Sequence, residues 1–145
     1  MIGAVRAMTL VVAVVVVWTI AGTRADAAAT KFEAFRTPSG NIYCGYLPRS
    51  GPSPASLRCD IRSGLSPEPR RRCELDWTGL GLGPTGRGYA VCAGDTVAVQ
   101  GARVLAYGAT WRRNGLSCGS TREGLTCLNR NRHGFFLSRA RWRVF

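Results

Sequence analysis

The chain is poor in the residues that build metal sites and catalytic sites. Histidine occurs once among its 145 residues, as His133, and no two cysteines stand in a Cys-x-x-Cys spacing. Structural zinc sites are built from four cysteine or histidine ligands, usually with closely spaced pairs. We therefore expect no zinc site, no other metal and no cofactor.

The chain beyond residue 27 also lacks the pattern of an amphipathic helix. No window of about 11 residues repeats apolar side chains at helical spacing without an intervening glycine or proline. Between Trp77 and Gly88 five residues are glycine. Each glycine destabilises a helix by about 1 kcal/mol relative to alanine, so helix content should be low.

Lysine is almost absent, and arginine carries the positive charge. Lys31 is the only lysine among 20 basic residues, which face 8 acidic ones. Without Arg6, Arg24 and Asp26 of the leader described next, 18 basic and 7 acidic residues remain, a formal charge of +11. This excess predicts attraction to an anionic envelope polymer, an anionic lipid surface or an acidic protein. Arginine suits two-point contacts with phosphate or carboxylate, although a high-GC genome also favours arginine codons.

The first residues have the pattern of a secretory signal peptide. A short basic region precedes an apolar run from Ala7 to Ile20, and small residues follow at Ala25 and Ala27. The run is shorter than the roughly 20 residues that a membrane-spanning helix needs, which favours a cleaved leader. We predict a cleaved signal helix at 1–27 and one secreted or extracytoplasmic domain at 28–145.

All six cysteines lie in the predicted exported domain. An even number of cysteines in a short secreted chain predicts three disulfides. Six cysteines allow 15 pairings, and we favour a sequential one because Cys118 and Cys127 flank a polar turn that could join two antiparallel strands. The predicted bonds are Cys44–Cys59, Cys73–Cys92 and Cys118–Cys127.

Turn residues separate short runs of β-branched and aromatic residues along the whole exported part. This pattern predicts a mainly β domain, a small antiparallel sandwich or a partly open barrel. Gln100-Gly101 is expected to close a hairpin between Thr96–Val99 and Arg103–Tyr107. The other predicted strand regions are Ile42–Cys44, Leu57–Ile61, Tyr89–Cys92, Trp111–Cys118, Leu125–Leu128 and Phe135–Phe145.

The C-terminal segment Ser138–Phe145 is the clearest candidate for a binding site. As one strand it would place alternate arginines on one face and Trp142 on the other. Such residues lie roughly 6.6 to 6.8 Å apart, close to the spacing of phosphates along a polymer. The same charges could instead protect an edge strand from aggregation. The candidate anion-binding residues are Arg139, Arg141 and Arg143, extended by Arg130 and Arg132 and further by Arg112 and Arg113.

Evidence for a catalytic site is weak. His133 would have to be the base of any serine or cysteine hydrolase, yet every cysteine is assigned to a disulfide and no Gly-x-Ser-x-Gly motif occurs. The surrounding residues indicate a turn that enters the last strand. We therefore predict that the protein is not an enzyme. Two alternatives stay open: a hydrolase of envelope polymer or nucleic acid that uses His133 with a carboxylate, and a proteinase inhibitor with an exposed loop such as Pro48–Ser56.

Six ordered motifs cover almost the whole exported part. They are Phe35–Cys44 (FRTPSGNIYC), Leu57–Asp60 (LRCD), Cys92–Thr96 (CAGDT), Leu105–Gly108 followed by Trp111, Gly124–Asn129 (GLTCLN) and His133–Ser138 (HGFFLS). Together they resemble a family of small secreted actinobacterial proteins, mycobacterial ones among them, that is known as a domain of unknown function. The resemblance implies an exported, disulfide-bonded domain of a Gram-positive envelope or medium, and it assigns no catalytic or ligand-binding residue. We expect a noncatalytic binding or structural domain that engages an anionic envelope polymer or a partner surface through arginine.

Overall fold

The computed structural model describes residues 31–145, so the predicted signal helix at 1–27 and the start of the exported domain lie outside the described residues. Within 31–145 no helix is long and apolar enough to span a membrane. The described chain forms eleven strands. They are β1 (Glu33–Arg36), β2 (Ile42–Leu47), β3 (Ser56–Ile61), β4 (Asp76–Leu82), β5 (Tyr89–Ala93), β6 (Arg103–Val104), β7 (Thr110–Arg113), β8 (Leu116–Ser120), β9 (Leu125–Leu128), β10 (Gly134–Leu137) and β11 (Trp142–Val144).

The strands form two sheets, and the prediction of a mainly β, antiparallel fold is confirmed. The first sheet has six strands in the order β5-β4-β3-β2-β1-β6, and the second has five in the order β11-β10-β9-β8-β7. All neighbours are antiparallel except β1 and β6, which are parallel. Consequently β5 and β6 are the edges of the first sheet, and β7 and β11 are the edges of the second.

Buried side chains from both sheets form one hydrophobic core. Along β8 and β9 buried residues alternate with more exposed ones, as expected for strands with one face against a core. At the centre the rings of Phe35 in β1 and Trp111 in β7 lie 5.1 Å apart. Full burial of a large apolar side chain contributes about 1.5 to 3 kcal/mol, so these contacts hold the sheets together.

The three disulfides have the predicted sequential pairing. Cys44–Cys59 joins facing positions of β2 and β3, and Cys118–Cys127 does the same for β8 and β9. Both of these bonds are buried in the core. Cys73–Cys92 is different, because it ties the long segment between β3 and β4 to the edge strand β5.

The predicted hairpin across Gln100-Gly101 is wrong. A turn does form there, since the N–H of Ala102 donates to the carbonyl of Val99 over 3.1 Å. However, Thr96–Val99 is not a strand, and Arg103–Val104 pairs in parallel with β1. The two arms therefore follow separate paths.

Asp60 explains why the first arm is not a strand. Its Oδ2 accepts hydrogen bonds of 2.9 Å from the Thr96 hydroxyl and 2.9 Å from the N–H of Val97. A side-chain acceptor thus replaces the strand partner that this backbone would otherwise need. Asp60 is itself buried in β3, so the contact fixes the segment against the first sheet.

The single strand predicted for Ser138–Phe145 is also wrong. Ser138 closes a turn with Arg141: its N–H and its hydroxyl each donate to the carbonyl of Arg141 over 2.9 Å. The chain reverses here. Trp142–Val144 pairs with β10, and Phe145 exchanges two backbone hydrogen bonds with Gly134. Because Arg139 and Ala140 lie in the turn, both are exposed, and the strict alternation of faces begins only after Arg141.

Gly88 allows an edge of the first sheet to approach the second sheet closely. A Cβ at this position would lie 2.6 Å from the carbonyl oxygen of Gly134, and that distance is too short for any residue other than glycine. Next to it, the guanidinium of Arg87 donates to the carbonyl of Val144 over 3.2 Å. These contacts bring β5 and β11 beside each other.

Candidate functional site

Two of the predicted anion-binding residues lie together at the edge strand β11. Arg143 faces Phe136 of β10, and its guanidinium carbon is 5.2 Å from the ring centroid of Phe145. The guanidinium of Arg141 lies 5.3 Å from the ring centroid of Phe136. Aromatic rings attract such cations while leaving their N–H donors available. Both arginines are exposed, so their charges are available to an anion.

The other predicted arginines lie elsewhere. Arg139 is exposed in the turn before β11 and lines a separate depression of 260 Å³ with Arg122. Arg130 and Arg132 belong to the turn between β9 and β10. Successive turns of an antiparallel meander lie at opposite ends of the sheet, so these two residues are at the end away from Arg139.

The arginines of β7 are at the opposite edge of the second sheet. Arg112 is exposed there, about 19 Å from β11 if neighbouring strands are 4.8 Å apart. Arg113 is unavailable for a ligand, because it forms an ion pair with Glu33 and lies 4.7 Å from the ring centroid of Tyr46. The predicted patch is therefore narrower than the sequence indicated.

A groove of 540 Å³ lies beside the arginines of β11, between the neighbouring edges of the two sheets. Trp77 of β4 and Tyr89 of β5 line it from the first sheet, and Trp142 lines it from β11. The segment Pro67–Arg71 forms the remaining wall. A volume of about 300 to 1,000 Å³ with a largely apolar lining is typical of small-molecule sites. We refer to this space as the aromatic groove.

Local packing fixes the aromatic side chains of the groove. The ring of Tyr89 lies over Gly81, where a Cβ would come within 2.5 Å of it, and the tyrosine is still 51% exposed. The indole N–H of Trp142 donates to the carbonyl of Pro67 over 2.6 Å. This bond holds the wall segment to β11 and fixes the orientation of the indole.

The wall segment is also anchored at both of its ends. Leu65 is buried in the core just before it, and Cys73 is bonded to Cys92 of β5 just after it. Between these anchors the exposed residues Arg70 and Arg71 line the groove. The disulfide therefore places two cations beside three aromatic side chains.

A second cavity, of 450 Å³, adjoins the groove. The two spaces share Glu68 and Trp77 as lining residues. Beyond this shared wall the cavity is lined by polar and charged residues, Asp76, Arg62, Tyr43 and Thr78 among them, together with apolar ones. We refer to it as the polar cavity.

Arg58 donates hydrogen bonds to Asp60 and Thr78, which line the polar cavity, and its guanidinium is fully engaged. Its guanidinium contacts Asp60 over 2.8 Å and Asp95 over 2.7 Å. Burial lowers the pKa of Arg58, but its hydrogen bonds to the carboxylates of Asp60 and Asp95, together with their charges, outweigh that effect and raise the pKa. The same contact lowers the pKa of Asp95. This cluster therefore supports the fold around the cavity, and its cation does not serve a ligand.

His133 lies in the turn between β9 and β10, half-buried. Its N–H donates to the side-chain oxygen of Asn129 over 3.2 Å, and its carbonyl accepts from the N–H of Asn129 over 2.9 Å. The imidazole forms no hydrogen bond or ion pair with residues 31–145, and it lines neither the aromatic groove nor the polar cavity. Over the same residues, no group of three or more His, Cys, Asp or Glu could hold a metal ion.

Comparison with known proteins assigns the chain to a family. Residues 14–145 match the family of unknown function DUF6636. The chain belongs to this family. No curated protein and no solved structure matches it. The resemblance to a family of unknown function is thus confirmed.

Sequence reasoning did not identify the aromatic groove of this DUF6636 domain. No local spacing connects its aromatic residues. Trp77 and Tyr89 lie on the consecutive strands β4 and β5, whereas Trp142 lies on β11, far along the chain. One signal was available: the run Arg70–Arg72 comes directly before Cys73, and the predicted bond to Cys92 places that run beside β5. The position of β11 next to β5 had no counterpart in the sequence pattern.

Proposed function

We propose that this DUF6636 protein is an exported, noncatalytic binding module of an actinobacterial envelope or medium that engages an anionic polymer through arginine. The observation that supports this proposal most strongly is the pair Arg141 and Arg143. Arg143 is exposed on the edge strand β11, Arg141 is exposed directly before it, and each lies over an aromatic ring. Neither forms an ion pair with the residues that the structure describes.

The charge of the described chain supports the same function. Carboxylates engage only a few of the arginines between residues 31 and 145, and the remaining ones carry charge that no partner there neutralises. A polyanion would release its counterions on binding such a surface, and this release supplies much of the affinity. The paired arginines are Arg58, Arg72, Arg103 and Arg113.

A polymer is favoured over a flat lipid surface because Arg141 and Arg143 line a depression of 310 Å³ with Phe136 and Trp142. Trp142 also lines the aromatic groove, which Arg70 and Arg71 line. An extended chain could contact both sets of cations at once. A planar headgroup layer has less access to a recessed groove.

The decisive experiment compares two double variants in polyanion binding at several salt concentrations. R141Q/R143Q removes the pair at β11, and the matched control R49Q/R112Q removes two charges elsewhere that are unpaired within residues 31–145. Arg49 lies in an exposed loop, and Arg112 is exposed on β7, at the opposite edge of the second sheet from β11. Long polyuronate and inorganic polyphosphate serve as probes, and light scattering of each variant is recorded in parallel.

The proposal predicts that R141Q/R143Q flattens the plot of log affinity against log salt by up to about two units, since each lost phosphate contact reduces the slope by about 0.7 to 0.9. The control should flatten it much less. If the arginines only protect an edge strand, the slope of R141Q/R143Q will equal that of the wild type and this variant alone will aggregate. That result would overturn the proposed site.

A further inference from the structure

We propose that the aromatic groove and the adjoining polar cavity together bind an acidic polysaccharide in which charged and neutral sugars alternate. This inference rests on the proposed function and names its substrate class. It concerns a different set of residues from the β11 arginines, namely the groove side chains and the carboxylates behind them. Nothing in the family assignment specifies such a ligand.

The aromatic groove offers apolar surfaces to a sugar ring. A pyranose ring has faces of C–H groups that pack against indole and phenol rings, while its hydroxyls extend to the sides. Tyr89 and Trp142 supply such surfaces from opposite sheets, and Tyr89 is exposed enough to be contacted directly. Aromatic side chains with one apolar body and one polar group are enriched at binding interfaces for this reason.

A free donor is also present in the groove. The indole N–H of Trp142 is used internally, by the carbonyl of Pro67. The indole N–H of Trp77 has no acceptor among residues 31–145, although Trp77 lines both spaces. It can donate to a ring or hydroxyl oxygen of a ligand that lies across the shared wall.

Arg70 and Arg71 make the groove complementary to an acid. Both are exposed, both line the groove, and neither is paired with a carboxylate of the described chain. A guanidinium binds a planar carboxylate with two parallel hydrogen bonds, which orients the acid as well as attracting it. The groove therefore suits a sugar that carries a carboxylate.

The polar cavity favours a polysaccharide over a nucleic acid. Its lining includes the acidic residues Asp76 and Glu68, of which Glu68 also lines the groove, against the single cation Arg62, unpaired within residues 31–145, together with Tyr43 and Thr78. A single-stranded nucleic acid carries a phosphate at every unit, so its next charge would meet these carboxylates and be repelled. A neutral sugar can instead donate its hydroxyls to them. A polymer in which charged and neutral units alternate therefore fits the two spaces better than one with a charge at every unit.

The probe for this inference is a tetrasaccharide of alternating glucuronic acid and N-acetylglucosamine, titrated into the oxidised protein by calorimetry and tryptophan fluorescence. Saturable binding with a change in tryptophan emission is expected. R70Q/R71Q and Y89S should each weaken binding by about 10-fold or more, comparable to the loss of one charged or stacked contact. The control R49Q/R112Q should bind as the wild type does.

Two further probes test the ligand class. The carboxyl-reduced tetrasaccharide should bind at least about 10-fold more weakly, because its neutral alcohol cannot pair with Arg70 and Arg71. A thymidine dodecamer should bind no more tightly than polyphosphate and should be insensitive to Y89S. Tight dodecamer binding that Y89S abolishes would overturn the assignment in favour of single-stranded nucleic acid.

Failure of this inference can be distinguished from failure of the proposed function. If the tetrasaccharide shows no binding up to about 1 mM while long polyanions bind with the predicted salt slope, the groove is not a saccharide site and the arginine surface of β11 stands. If neither probe binds, both proposals are wrong. Circular dichroism of each variant confirms folding, and Y89S is suitable because Tyr89 is largely outside the core.

Discussion

The indole N–H of Trp111 in β7 donates a 2.9 Å hydrogen bond to the carboxylate of Glu33 in β1, and so joins the two sheets. Arg113 binds the second oxygen of the same carboxylate, and Arg103 lies 3.6 Å from the first. Burial raises the pKa of Glu33, but the hydrogen bonds from Trp111 and Arg113, together with the arginine charges, outweigh it and keep the pKa below the ordinary value of 4.5. The carboxylate of Glu33 thus links the two sheets, and this link depends on its negative charge.

Glu33 should make the stability of the fold depend on pH in the acid range. Because its pKa is lower in the folded chain than in the unfolded one, its contribution is complete above pH 4.5 and is lost as the pH falls through the lowered value. E33Q should therefore be less stable than the wild type at neutral pH, and the difference should shrink as the pH falls below 4.5. Chemical unfolding at several pH values measures it.

The control for this experiment is E74Q. Glu74 is paired only with Arg72, and both side chains are exposed, so the pair should contribute less than about 1 kcal/mol. E74Q should unfold as the wild type does across the same range. A difference between E33Q and the wild type that stays constant from neutral to acid pH would contradict an electrostatic role for Glu33.

The disulfide Cys73–Cys92 should control the wall of the aromatic groove more than the core. C73S/C92S is expected to lower the free energy of unfolding by about 2 to 4 kcal/mol. It should also expose the arginine run to trypsin, because one anchor of the segment Pro67–Arg71 is lost while the core disulfides remain. Limited proteolysis with mass spectrometry locates the cleavage. The unreduced wild type should show no titratable thiol and should resist trypsin there.

Removal of a different disulfide provides the comparison. Cys118–Cys127 joins strands that are already paired, and it lies in the core away from the groove. C118S/C127S should destabilise the whole domain without preferential cleavage at Arg70–Arg72. Equal cleavage of the two variants at that run would show that the wall segment is held by general stability and not by its own disulfide.

Ser120 in β8 should be replaceable by alanine with a gain in stability. It is 1% exposed, and its hydroxyl has no hydrogen-bond partner in the structure between residues 31 and 145. A buried polar group without a partner costs about 1 to 3 kcal/mol, so S120A should raise the free energy of unfolding by up to about 1 kcal/mol. S117A, on the more exposed face of the same strand, should change it little. A lower unfolding midpoint for S120A would show that the hydroxyl is satisfied in solution.

The sequence predicted those parts of the fold that depend on local pattern. Turn residues and alternation located β2 and β3, and the polar turn between Cys118 and Cys127 correctly suggested a hairpin. The errors came from single side chains. Asp60 accepts a hydrogen bond from the N–H of Val97, which lies far along the chain. Ser138 closes a turn with Arg141, where the alternation of arginine had predicted a continuous strand.

The aromatic groove was not predictable for a related reason. It exists because glycines let backbone and rings approach within distances that any Cβ would block, as at Gly81 under Tyr89 and at Gly88 against Gly134. Glycine in a sequence indicates a turn or a close approach, but it does not name the partner. The site therefore depends on tertiary contacts between elements that no local rule connects.

His133 should be dispensable for any activity of the protein. Its backbone is fixed by Asn129, and its imidazole contacts no carboxylate, so H133Q should keep the turn and change neither stability nor ligand affinity measurably. N129A should behave differently. The side chain of Asn129 also donates to the carbonyls of Gly83 and Gly86, and its loss should destabilise the domain by about 1 to 3 kcal/mol. Thermal unfolding, polyanion binding and hydrolysis of the same polymers are measured for both variants.

One outcome would contradict this prediction. If hydrolysis is found and H133Q reduces its rate by about 100-fold with folding intact, His133 is a general acid or base and the noncatalytic proposal is wrong.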